Sequence, residues 1–206
     1  MEAKQLKTTD AKQDAYQFLR DFIRSTATSR LKSCTKNQTF EVREITKEED
    51  FSYDHWIAAI VISATTIRVN FRVHFTTKSA REFVAHNPVL SGIEDPNVCH
   101  DFIREYCNLT AGAIKQGLER VSERDISADG YIVNLPHETP AYDKIGKLTR
   151  TVEQDSVRDC WAFKLNGQEL VCATRIEIVD WASIGKITEM DLSSLLVSDD
   201  GNVEFL

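Results

Sequence analysis

Little in this chain interrupts a regular backbone: 206 residues contain only 4 prolines and 8 glycines. That scarcity excludes collagen-like and low-complexity architectures. Long apolar runs are missing too. No stretch approaches the roughly 20 apolar residues that cross a bilayer, and the first 14 residues lack the apolar core of a signal peptide. A cytoplasmic location with no membrane partner is therefore expected. Basic residues are the minority, 25 Lys plus Arg against 32 Asp plus Glu, and the net charge of -7 repels phosphate backbones. Nucleic acid is not an expected partner. The five cysteines form no C-x-x-C pair and are odd in number, which fits reduced thiols better than a disulfide framework. None of the five histidines stands four residues from another, so neither a helical metal-ligand pair nor a metal site is expected.

What is present is ordinary globular usage, 42% hydrophobic and 28% charged, enough for a sizeable core. Asp10 can cap a helix whose apolar positions Ala15, Tyr16, Leu19, Phe22 and Ile23 share one face through about Ser29. Strands are expected at Phe40–Ile45, which alternates, and at Trp56–Ile62, which is apolar throughout. From Thr66 to Phe75 alternation is strict, so this strand is expected to cover the core on one side only. Thr77 starts a short helix that Asn87-Pro88 ends. Asp95-Pro96 supplies an N-cap and a first-turn proline for a helix running to about Val121.

Tyr131–Leu135 reads as a strand, followed by a proline-bearing loop to about Lys147. Val157–Leu165 and Gln168–Val179 flank Asn166-Gly167, the dipeptide suited to a type I′ hairpin turn. One helix-plus-three-strand unit is thus used twice. The expected architecture is a pseudo-twofold α/β domain over residues 1–180, with a mostly antiparallel six-stranded sheet and two long helices packed on it. Residues 181–206 form a C-terminal extension in which Ser198–Gly201 separates two short apolar runs, as in a small hairpin or a docked tail.

The long helix after Asp95 carries the most informative pattern. At about 100° per residue, Asp101, Glu105, Asn108, Gly112, Lys115 and Glu119 fall within an arc about 80° wide. Phe102, Ile103, Tyr106, Ala113, Ile114 and Leu118 occupy the other side, and Cys107 points toward them. A polar stripe opposite an apolar face is often just a solvated surface. Gly112 argues for more, because an interior helical glycine costs about 1 kcal/mol relative to alanine and lets a partner approach the backbone closely. No nucleophile, base and orienter stand at a spacing that would make Cys107 or a histidine the centre of a self-contained hydrolase. His100 is expected at a solvated helix position.

Glu105, Asn108, Ala111, Gly112 and Lys115 resemble the active helix of the CheX/CheC chemotaxis phosphatases, whose signature is an E-x-x-N followed by a small-residue pair and a lysine. The strand ending at Leu135-Pro136 and the doubled element order are also similar to that family. Glu94 and Asn97 match E-x-x-N too, but Glu94 precedes the cap and lies outside the helix. The first long helix carries no such motif, so the resemblance implies one active face per chain, as in CheX. It further implies hydrolysis of the phospho-aspartate of a CheY-type response regulator, with Asn108 orienting water and Glu105 pairing with the regulator's lysine. Asp101, Gly112, Lys115 and Glu119 would complete the partner-binding surface. Mg²⁺ would belong to the regulator, leaving this chain without a cofactor of its own, and the resemblance suggests a homodimer. The alternative is a non-catalytic adaptor that holds a response regulator or signalling partner through the same helix face.

Overall fold

The computed structural model describes residues 2–46, 55–63, 66–122, 132–133, 137–141, 152–153 and 156–181. The chain opens with α1 (Glu2–Cys34), followed by strands β1 (Glu41–Glu44), β2 (His55–Ser63) and β3 (Ile67–Thr76). Helices α2 (Thr77–Val84) and α3 (Pro96–Ser122) come next, then β4 (Ile132–Val133), β5 (His137–Ala141), β6 (Val152–Glu153), β7 (Ser156–Leu165) and β8 (Gln168–Ile178). The expected tail hairpin at Ser198–Gly201 lies outside the described residues.

Helix α1 starts eight residues before the Asp10 cap, because Glu2–Thr9 contains no helix breaker and several strong formers. It also outlasts Ser29, since Leu31 and Cys34 continue the buried face. Lys36 (φ 52°) and Asn37 (φ 56°) then turn left-handed and end it. At α2, Thr76 and Ser79 form a reciprocal capping box.

Among the described residues all strand pairings are antiparallel. The body of the sheet is the run β1-β7-β8-β3-β2; β4 and β5 pair with the far side of β2, and β6 pairs with β7. The central pair β8-β3 is flanked by β7 and β2, so each half contributes a hairpin and sends its first strand to the other half's edge. Among the described residues the sheet therefore holds eight strands where six were expected. One addition, β5, comes from the segment read as a loop, and the other, β6, lies just beyond it; β5 contains Pro140, which pairs opposite Trp56. An edge strand tolerates a proline that an interior strand does not. Of the strand expected at Tyr131–Leu135, Ile132–Val133 is seen paired, with Ile62 and Ser63.

One face of the sheet carries the main core. Leu19, Phe22 and Ile23 of α1 and Phe102, Ile103 and Tyr106 of α3 join Val69, Phe71, Val73, Phe75, Trp161 and Phe163 in one cluster. Removing that much apolar surface from water is the principal stabilising term. The Tyr106 hydroxyl donates to the Ala27 carbonyl at 3.1 Å and so ties α3 to α1. The opposite face is also apolar near its centre, where Ile45, Cys160, Ala162, Val171 and Ala173 form a second cluster. Strand β3 departs from the one-sided expectation at one position: His74, on the face expected to be solvated, is 1% exposed and pairs in register with Val171. The period-two pattern identifies the two faces correctly, and on the polar one Arg68 is exposed and Asn70 and Arg72 half-buried, so the departure is local to His74.

Candidate functional site

The start of α3 follows from two adjacent residues. Asp95 Oδ1 accepts the Asn97 N–H at 2.8 Å and the Asp95 carbonyl accepts the Cys99 N–H at 3.1 Å, while Pro96 takes the first helical position, where no N–H is needed. Glu94 lies before this cap, so Glu94 and Asn97 do not share a helical face. The inner face of α3 is fixed by Cys99, Phe102, Ile103, Tyr106, Cys107, Ala111, Ile114 and Leu118, all essentially inaccessible. With that face buried, the helical repeat turns Asp101, Glu105, Asn108, Gly112, Lys115 and Glu119 outward.

Asp101 is exposed, and Glu105, Asn108, Gly112, Lys115 and Glu119 are half-buried. Glu105 and Asn108 stand one turn apart, about 4.5 Å along the axis, with their side chains on neighbouring positions of the same surface. The residues beside them are tied down. Asp101 forms an ion pair with Arg104, and Lys115 Nζ lies 3.6 Å from Glu119 Oε1. The stripe is thus an amide and a carboxylate bracketed along the helix by two ion pairs. Lys115 and Glu119, both expected in the partner-binding surface, form an ion pair with each other.

Gly112 is open. A Cβ placed on it meets nothing within 4 Å, which leaves the glycine without a packing reason. The glycine that α3 needs for packing is Gly117, whose added Cβ would overlap the ring of Phe22 on α1. Position within the helix separates the two roles, and composition alone does not.

The buried groups contribute no reactive chemistry. Burial pushes the Cys107 thiol far above its ordinary range, so no thiolate is available at neutral pH. The Cys172 thiol and the Tyr106 phenol are raised by the same cause and face one another at 3.8 Å. His100 does not occupy the solvated position expected of it. It is 8% exposed, its Nε2 lies 2.9 Å from Thr77 Oγ1, and its ring contacts those of Trp56 and Phe75. A histidine with this many contacts is a structural link between α3, α2 and the sheet. Among the described residues no group of three His, Cys, Asp or Glu side chains could hold a metal ion. No helix there is long and apolar enough to cross a membrane.

Arg104 also lies beside the stripe, paired with Asp101. It lies three residues after Asp101 and four before Asn108, the two spacings that make helical neighbours, and this was the signal that could have identified it.

No protein-family model and no curated protein matches the chain. Solved structures do. The chain is similar to a chemotaxis protein CheX from Desulfovibrio desulfuricans, with TM-score 0.52 and 14% identity over 77% of this chain and 99% of that one. A CheC-like superfamily protein from Shewanella sp. PV-4 superposes with TM-score 0.53 and 12% identity, covering 78% of this chain and 97% of that one. CheX in a CheX–CheY–BeF3–Mg²⁺ complex from Borrelia burgdorferi gives TM-score 0.52 and 13% identity, with 78% and 97% covered.

These likenesses define the class: an α/β protein built on an antiparallel sheet with its long helices on one face. Within that class the chain carries the fold of the CheX/CheC-type chemotaxis proteins.

Proposed function

We propose that this protein is a phosphatase of CheY-type response regulators and that Glu105 and Asn108 enter the regulator's active site. The observation that carries the reading is the placement of these two side chains. They sit one turn apart on the outward face of α3, beside a glycine whose Cα is unobstructed. The fold of the chain supports it, and so does the partner named for the Borrelia CheX.

The chemistry asks little of the phosphatase. An acyl phosphate is already activated, and its hydrolysis needs a water in line with the departing carboxylate. The water oxygen bonds to phosphorus while the bond from phosphorus to the aspartyl oxygen breaks and its electron pair leaves on the carboxylate. The two water hydrogens end on the product dihydrogen phosphate, so a dianionic acyl phosphate plus water gives a carboxylate and a monoanion. Charge on the phosphoryl oxygens is neutralised by the Mg²⁺ and lysine of the regulator. Asn108 cannot serve as a base near neutral pH, but its amide both accepts and donates hydrogen bonds and can hold the water in line. Glu105 pairs with the regulator's lysine through a charge-assisted hydrogen bond and fixes the docking register. Gly112 lets the partner's backbone approach within the reach of Asn108.

The test is loss of phosphate from the CheY-type regulators of the same cell, phosphorylated with a small-molecule donor, with and without this protein. Faster loss supports catalysis. Binding with an unchanged phosphate lifetime identifies an adaptor.

A further inference from the structure

We infer that Arg104 is a further catalytic residue of the α3 site, placing its guanidinium on the phosphoryl oxygens of the partner's aspartyl phosphate. The inference rests on the phosphatase reading and deepens it. Arg104 is one full turn before Asn108, so their Cα atoms are about 6 Å apart on the same side of the helix. A phosphoryl group close enough for Asn108 to align its attacking water therefore lies within range of the Arg104 side chain. Lys115, the other cation on the stripe, is seven residues beyond Asn108, about 10 Å along the axis, and is held by Glu119.

The ion pair with Asp101 makes the transfer inexpensive. Both side chains are open to solvent, 42% for Arg104 and 60% for Asp101, and pairs of this exposure are weak. A phosphoryl group offers the guanidinium a planar, bidentate, charge-assisted contact that is stronger than the pair it replaces. Before docking, the guanidinium is paired with Asp101, an exposed residue of the stripe. On docking, Arg104 exchanges a carboxylate for the phosphoryl oxygens that gain charge as the acyl oxygen departs, which is stabilisation realised in the transition state. The reaction balances as above, because Arg104 forms no bond and transfers no proton.

The test compares the full chain with Arg104→Ala and Arg104→Lys, using the phosphorylated regulator that the unaltered protein dephosphorylates. Arg104→Ala should lower the maximal rate by about 10- to 100-fold while the regulator concentration at half-maximal rate and the melting temperature change little. Arg104→Lys should recover part of the rate. Added guanidinium ion should restore activity to Arg104→Ala and leave Asn108→Ala inactive, a response that a structural role would not produce. An unchanged maximal rate in Arg104→Ala overturns the inference and leaves the phosphatase reading standing. Equal loss in affinity and rate, without guanidinium rescue, assigns Arg104 to docking and also overturns it. If the unaltered protein does not speed phosphate loss from any regulator tested, both the reading and this inference fall.

Discussion

Phe22 on α1 packs its ring directly against the backbone of Gly117 on α3: a Cβ at position 117 would overlap Cζ of Phe22 and stand 2.8 Å from its Cε2. The ring is fully buried and cannot swing into solvent. Gly117→Ala should therefore overpack the contact and cost about 1 to 3 kcal/mol, read as a lower melting temperature. Gly112→Ala, with open space around the new methyl group, should be neutral or gain up to about 1 kcal/mol from helix propensity. Combining Gly117→Ala with Phe22→Leu should recover part of the loss, because the two positions share one contact.

Gly112→Leu separates surface from core on the functional side. A larger side chain there should leave the melting temperature unchanged or raised and abolish binding of the regulator, since it holds the two surfaces beyond hydrogen-bond range. Binding equal to that of the unaltered chain would remove the glycine from the site.

A second prediction on stability concerns Asp159, which lies on β7 and is 2% exposed. Arg24 holds it through two contacts, 2.6 Å from Nη2 and 3.2 Å from Nε, and Arg20 Nε is 3.5 Å away. Removing the Asp159 charge leaves Arg20 and Arg24 with only the exposed Glu44 carboxylate, 3.6 Å from each. Asp159→Asn should cost about 3 kcal/mol in a denaturant titration. Glu44→Gln, at the exposed end of the same network, should cost less than about 1 kcal/mol.

Alkaline pH should unfold the protein early. In the folded chain, burial keeps Cys107, Cys172 and Tyr106 protonated well beyond their ordinary ranges, and Cys99 is shifted upward by the same cause. The unfolded chain releases these protons from about pH 8.5 for thiols and about pH 10 for tyrosine. Above those values the folded state binds more protons, so stability falls as pH rises. Below about pH 8 these groups contribute their full stabilisation and no change is expected from them. Urea midpoints at pH 7.5 and pH 10 check the sign: a higher midpoint at pH 10 would contradict it.

Features governed by neighbours in the sequence were legible in it. Asn166 and Gly167 take the left-handed angles that their turn requires, φ 48° and 78°, and set the register of β7 against β8 from Leu165 opposite Gln168 onward. Asp95-Pro96 starts α3, and the 3.6-residue repeat turns Glu105 and Asn108 outward. Features governed by distant contacts were not legible. Arg24 and Asp159 are 135 positions apart, and neither residue type signals the pairing. His74 and His100 are buried although the patterns of their own strand and helix place them on the polar side. Strand β5 was missed because Pro140 reads as a loop residue until the position is known to be a sheet edge.

The phosphatase reading rests on the half-buried amide of Asn108, on the outward face of α3, orienting the hydrolytic water. The most direct measurement is the lifetime of the aspartyl phosphate on a CheY-type regulator with no addition, with the unaltered protein and with Asn108→Ala. Catalysis by Asn108 predicts a shortened lifetime with the unaltered protein and the unassisted lifetime with Asn108→Ala, even though that variant melts normally and still binds the regulator. Glu105→Ala should weaken binding as well as turnover. Full activity in Asn108→Ala would contradict the claim.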